Sequence, residues 1–160
     1  MEGAGVASAA QAMVDLSTDS DSEFSAEIPA ETGGLRMTKQ RQEVYRLLLE
    51  QRDHPTAQDV FMRVKDTLPH ISLATVYNTL EALVQHGLVR QVNFDREPSR
   101  FCPNLADHGH FHDKVSGKIH DVTFKQGVSL ADVLELPPGA VVTGIEITLR
   151  GELPMEESAK

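Results

Sequence analysis

The sequence predicts an α+β fold: three short helices, a two-stranded ribbon, and then a smaller α/β unit. Three observations lead there. Between Thr38 and Gly87, apolar residues recur at three- and four-residue spacing in three separate runs, each opened by a capping residue. After Gly87 the period falls to two, as in a hairpin. From Asn104 onward the chain is β-prone, broken by turns and rich in histidine.

Taken in order, residues 1–34 are Ala, Ser, Gly and acid without periodicity, and read as a disordered acidic leader. Thr38 to Gln51 predicts the first helix, with Val44, Leu47 and Leu48 inward and Arg36, Lys39 and Arg41 around its start. His54-Pro55 ends it. Thr56 then caps a second helix whose stripe is Val60, Phe61, Val64 and Leu68. Leu68-Pro69-His70 turns the chain into the third. Ser72 is its N-cap, and Gly87 supplies the left-handed residue that stops it. Leu73, Val76, Leu80, Leu83 and Val84 form the buried stripe, with Thr75, Tyr77, Asn78 and Thr79 on the opposite face. Those polar side chains have the length to reach phosphates and base edges in a major groove. Periodicity alone favours a plainer reading, an amphipathic helix with a solvated face.

The flanking ribbon changes that balance. L-V-R-Q-V-N-F, D-R-E-P-S and R-F-C read as strand, five-residue loop and strand. Three helices followed by a two-stranded ribbon make a winged helix-turn-helix, whose third helix enters the major groove while the ribbon follows the backbone. Arg90, Arg96 and Arg100 on the ribbon suit phosphate contact. Residues 35–103 are therefore expected to form a DNA-binding domain, and 104–153 a second domain. There, two short strands flank a Val115-Ser116-Gly117 turn, and Ser129 caps a short helix, S-L-A-D-V-L-E-L, stopped by Pro137-Pro138-Gly139. The run A-V-V-T-G-I-E-I-T-L-R reads as a long alternating strand available to a second chain, and 154–160 as a frayed tail.

The totals set limits. With 160 residues, 40% hydrophobic and 24% charged, the chain is an ordinary globular protein of one or two small domains. No apolar run approaches the roughly 18 residues of a membrane span, so a cytoplasmic location without a membrane partner is expected. A single cysteine, Cys102, excludes an internal disulfide. A net charge of −9 opposes nucleic-acid binding until its distribution is considered. Glu2, Asp15, Asp19, Asp21, Glu23, Glu27 and Glu31 precede Leu35 without one Lys or Arg, so the acidity sits in the leader.

His108, His110 and His112 alternate with Gly109 and Phe111, so on a strand all three leave one face. Two imidazoles at i, i+2 can hold one transition-metal ion. Asp107, His120, Asp121 and Cys102 lie close by in sequence. The alternative is a polar hairpin with chance histidines.

With these motifs in hand, the chain resembles the ferric uptake regulator family of metal-dependent repressors, most closely its peroxide-sensing branch. The likeness runs from about Leu35 to Gly151. It is carried by M-T-K-Q-R at 37–41, H-P-T-A at 54–57, S-L-A-T-V-Y-N-T-L at 72–80, G-L-V at 87–89, S-R-F at 99–101, H-G-H at 108–110 and G-K-I-H-D at 117–121. The resemblance implies a homodimer, joined through the C-terminal domain, that represses at a double-stranded DNA operator. It implies one divalent transition metal per chain, zinc or iron and also manganese, on His54, Cys102, His108, His110 and Asp121. DNA contacts are expected from Arg41, Thr75, Tyr77 and Asn78. Asp121 and Asn78 both fit the peroxide-sensing branch.

Two positions depart from the family pattern. Cys102 stands where a carboxylate is expected, and a thiolate is a softer ligand that favours zinc and is itself oxidisable; its plain alternative is a buried small hydrophobe. The family's two C-x-x-C pairs read Asp113 to Ser116 and Leu153 to Glu156 here, so no tetrathiolate zinc is expected and the C-terminal strand needs another hold. His112 and His120 are expected to be solvated, and Cys102-Pro103 is a weak echo of haem-responsive regulators. A metal-independent DNA-binding dimer is the first alternative. A His/Asp metalloenzyme is the weaker one, since no H-E-x-x-H helix supplies a general base.

Overall fold

Three capped helices and one hairpin build the first half of the chain in the computed structural model, which describes residues 27–128 and 133–154. Helix α1 spans Lys39–Glu50 and is capped by Thr38, whose side chain accepts from the Arg41 amide. Helix α2 (Ala57–Val64) opens with a reciprocal capping box between Thr56 and Asp59. Helix α3 (Leu73–Gln85) is capped by Ser72, and Gly87 beyond its end has φ 68°. The stripes read from the sequence meet: Val44 and Leu48, Val60 and Val64, and Val76, Leu80 and Leu83 share one core with Leu88, Val89 and Phe101. Each buried Val or Leu contributes about 1.5–3 kcal/mol. One residue was expected on the wrong face, because Thr79 is only 4% exposed. It lies next to Leu80 at the edge of the stripe, and a small side chain is tolerated there.

The leader ends earlier than expected. Strands β1 (Glu31–Thr32) and β2 (Leu35–Arg36) form an antiparallel hairpin, and Ile28 and Leu35 are buried in the helical core. The Gln42 side-chain amide donates to the Ile28 carbonyl at 3.2 Å. Gly33 turns this hairpin at φ 57°, where an added Cβ would lie 2.9 Å from Leu88 Cδ2. Two buried apolar residues and a close glycine contact thus tie residues 28–36 to the core, although the stretch has no periodicity of its own.

Strands β3 (Arg90–Val92) and β4 (Arg100–Cys102) form the ribbon, with Arg90 opposite Cys102 and Val92 opposite Arg100. A second sheet has the order β6-β5-β7. In it β5 (Gly109–Asp113) pairs antiparallel with β6 (Ile119–Val122) and parallel with β7 (Thr148–Gly151). The long strand expected from Ala140 is shorter: only Thr148–Gly151 pairs, and Val141 and Val142 are exposed. Pairing needs a neighbouring edge, and β5 offers one over just that length. The helix expected from Ser129 falls largely on 129–132, outside the described residues; 134–136 are not helical.

The positions without cysteine carry a different fastening. Asp113 Oδ1 accepts from the amides of Val115 (3.1 Å) and Leu153 (3.3 Å). Its Oδ2 accepts from the Ser116 amide and hydroxyl. One carboxylate therefore closes the β5–β6 turn and grips the chain beyond β7. These hydrogen bonds, the Ser116 hydroxyl foremost, hold its carboxyl down at about 2.

Candidate metal centre

His54 reaches its position through unusual backbone. It precedes Pro55, which bars the ordinary helical region, and it sits at φ 56°, a costly conformation for a residue with a Cβ. Strand β4 holds it there. The Phe101 amide donates to the Pro55 carbonyl at 3.0 Å, and Arg100 Nη1 donates to the His54 carbonyl at 3.2 Å. Cys102 ends the same strand and is buried. His108 and His110 leave one face of the β5 segment, and Asp121 stands opposite His110 on β6.

One ligand atom from each of His54, Cys102, His108, His110 and Asp121 falls within 4.8 Å of all the others. His108 Nε2 lies 3.0 Å from His110 Nε2 and 3.4 Å from Cys102 Sγ. Asp121 Oδ1 lies 2.8 Å from His54 Nε2 and 3.6 Å from His108 Nε2. That short contact with His54 lacks the direction of a hydrogen bond. Among the described residues, both ring nitrogens of this buried imidazole are without a hydrogen-bond partner. An imidazole stripped of water and left unbonded is costly unless something else takes its lone pair.

The electrostatics favour open lone pairs on nitrogen. Burial, then the neighbouring His54 and His108, push His110 down to about 4. Burial also lowers His54, against the attraction of Asp121. For Asp121 burial pulls upward, but the Asn104 hydrogen bond and the three imidazoles outweigh it and keep the carboxyl ionised below its usual range. Burial pushes the Cys102 thiol up to about 11. The donor set is thus two imidazoles held deprotonated, one carboxylate, a third imidazole in contact, and a thiol still carrying its proton. Three nitrogens, a sulfur and an oxygen at this separation fit a transition-metal ion.

The remaining expected positions lie apart from this cluster. Tyr77 is 54% exposed on α3, and Asn78 beside it is exposed. The Thr75 hydroxyl shares a 2.9 Å hydrogen bond with Ser72 at the cap, so it is partly spent on the helix start. Arg41 Nη1 donates to the Arg36 carbonyl at 2.8 Å. His120 is exposed, but His112 is not: it is 8% exposed, its ring centroid 5.1 Å from Phe94 and its Nε2 3.6 Å from Glu97. Phe94, Val92, Cys102 and Ile119 form a second apolar cluster, rimmed by an Arg150–Asp95 pair at 3.0 Å. The ribbon is therefore plugged onto the second sheet beside the donor cluster.

Sequence reasoning overlooked Asn104. Its side-chain Nδ2 donates to Asp121 Oδ2 at 2.8 Å, and its Oδ1 accepts from the Ala106 amide at 3.1 Å. The available signal was an Asx turn, Asn-x-Ala, directly after Cys102-Pro103.

An α+β chain in which a helical unit and a sheet unit share one His/Cys/Asp cluster, with all but Asp121 buried, has the build of a metal-binding regulator of the ferric uptake type. The ferric uptake regulator family model matches residues 32–133, and the chain belongs to that family. The peroxide-responsive repressor PerR of Staphylococcus aureus is 36% identical over 93 residues, which is 58% of this chain and 63% of that protein. The chain thus spans less than two thirds of the length of the curated relatives it matches. Among solved structures, the Campylobacter jejuni peroxide stress regulator is 26% identical with a TM-score of 0.57, covering 73% of this chain and 87% of its own. The ferric uptake regulator of Francisella tularensis, solved with iron, aligns with a TM-score of 0.63 at 20% identity, over 75% and 92% of the two chains. At that identity it speaks for the fold alone.

Proposed function

We propose that this chain is a cytoplasmic, metal-responsive transcriptional repressor that binds duplex DNA as a homodimer. The observation that carries the reading is the convergence of five donors from four separate segments on one point. His54 and Cys102 belong to the helix-and-ribbon half, residues 35–103, which acts as a winged helix-turn-helix. His108, His110 and Asp121 belong to the sheet half, residues 104–153. When bound, an ion crosslinks the two halves and so fixes the angle between the DNA-reading helix and the dimer interface. The thiolate and three imidazoles favour zinc or iron(II) over manganese.

Helix α3 presents Tyr77 and Asn78 to the groove, with Thr75 and Arg41 nearer its flank. Dimerisation is supported by exposed apolar residues of the second half, Val133, Leu134, Val141 and Val142, and by the edge of β7, unpaired among the described residues. Similarity to a peroxide-responsive repressor extends the proposal to peroxide as a signal acting at the same centre. Cys102 gives such a signal a second target only as a metal-bound thiolate, since the free thiol is buried and protonated.

The test is a gel-shift titration of operator DNA with zinc or iron(II) present and after chelation. In wild-type protein, affinity should fall when the ion is removed. The double variant His108→Ala, His110→Ala should bind at the chelated level under both conditions. Equal affinity of wild type and double variant in the presence of metal would overturn the regulatory reading.

A further inference from the structure

The loop between the ribbon and the second sheet does more than connect them. Two of the five donors, Asp121 and His108, are held by its residues 104–106, and a third, Cys102, lies against it. The Asn104 side chain donates to Asp121 Oδ2 at 2.8 Å. The Asn104 backbone carbonyl faces the Cys102 thiol at 4.0 Å. The Ala106 carbonyl lies 2.6 Å from His108 Nδ1, so Nδ1 carries the proton and Nε2 is left bare toward the cluster. The direction of the Asn104 amide follows from its neighbours, because the Ala106 amide can only donate and must face Oδ1.

The consequence for Asp121 is specific. Oδ1 is the oxygen that approaches the histidines, at 2.8, 3.6 and 3.9 Å from His54, His108 and His110. Oδ2 is the oxygen that Asn104 holds. For both oxygens to serve one ion, Oδ2 would have to meet the ion while Asn104 holds one of its lone pairs. We infer that Asn104 is a positioning residue that restricts Asp121 to one-oxygen ligation and thereby sets which metal the site accepts. This inference rests on the metal reading above. A single carboxylate oxygen with three nitrogens and a sulfur makes at most five donors, which zinc accommodates by expanding from its usual four. Manganese is a harder ion that prefers an oxygen-rich, near-octahedral shell, and the second oxygen is withheld from it. Partners that hold a ligand from outside typically change metal affinity by about 10- to 100-fold when removed.

Cobalt(II) is the probe, because its visible bands weaken as coordination number rises. The full chain is titrated with cobalt(II), and zinc and manganese affinities are measured by competition. Asn104 is half-exposed, so Asn104→Ala and Asn104→Gln are expected to fold, which thermal melting checks. Wild type should give visible bands of the strength of four- or five-coordinate cobalt and a strong preference for zinc. Asn104→Ala should give weaker bands per bound cobalt and a zinc-over-manganese preference reduced about tenfold or more, with Asn104→Gln in between. Cobalt bound with an unchanged spectrum and an unchanged zinc-over-manganese ratio in Asn104→Ala would overturn the inference and leave the metal site standing. Cobalt uptake that survives His108→Ala, His110→Ala, or no uptake by wild type, would overturn the metal reading and this inference with it.

Discussion

Metal uptake at this cluster should expel a proton, and Cys102 says how many. The thiol is 1% exposed and burial raises it to about 11. Near neutral pH it is therefore fully protonated, yet only the thiolate is a metal ligand. Asp121 is held below its usual range and is already ionised, and His110, at about 4, is already deprotonated. Neither has a proton to give. The Cys102 thiol then contributes about one proton per ion, which makes metal affinity rise about tenfold, or about 1.4 kcal/mol, for each pH unit. The sign is fixed by the direction of the shift: binding weakens as pH falls, and the slope persists because neutral pH lies well below 11. The assay is calorimetric zinc titration between about pH 6 and pH 8, in buffers of differing ionisation enthalpy to count the proton. Cys102→Ser, close in size but not readily ionised, should bind more weakly and lose the slope. An affinity flat with pH in wild type, or an unchanged slope in Cys102→Ser, would refute the reasoning.

Other measurements address the frame around the site. Asp113 has a carboxyl depressed from 3.8 to about 2, so its contribution is present above its unfolded value and lost as pH drops through about 2. Asp113→Asn should lower the melting temperature at neutral pH and flatten the acid limb between those values; an unchanged acid limb would remove Asp113 as the fastening. Leu80→Ala, at a fully buried position, should cost about 2–5 kcal/mol in denaturant unfolding, and a loss below about 1 kcal/mol would argue against the three-helix core. Arg150→Ala breaks an exposed pair with Asp95 and should cost less than about 1 kcal/mol, vanishing in high salt. Phe94→Ala removes the buried plug between ribbon and sheet, and hydrogen exchange at residues 93–99 should accelerate markedly; unaltered protection there would show that the ribbon is held elsewhere.

Much of the first half was legible because its signals are local. Thr38, Thr56 and Ser72 each cap a helix through a side chain three residues from its partner amide, and Gly87 ends α3 within the same short range. Helical spacing fixed the inward stripes, and it failed at Thr79, where a small residue at the stripe's edge fits either side. The β5–β6 hairpin was equally readable, since alternation and a Ser-Gly turn lie within a few residues of each other. The C-terminal run was not. Its alternation described a strand's faces but not its partner, and β5 supplied an edge to only four residues.

The sequence by itself determined which residue types were present for the centre, and the family motifs named which five to watch. Convergence was beyond it. His54 and Asp121 are far apart along the chain, and only the left-handed turn before Pro55, pinned by β4, delivers Nε2 to within 2.8 Å of the carboxylate. Nor did composition distinguish His112 from His120, although Phe94 covers one and solvent meets the other. The same holds for Asn104 and Asp113, ordinary polar residues in sequence that become a clamp and a fastening through hydrogen bonds to Asp121 and Leu153. Caps, stripes and turns are short-range effects that the chain writes in order. Donor geometry, burial and the pKa shifts that follow are set by contacts between segments remote in sequence, and those exist only once the chain has packed.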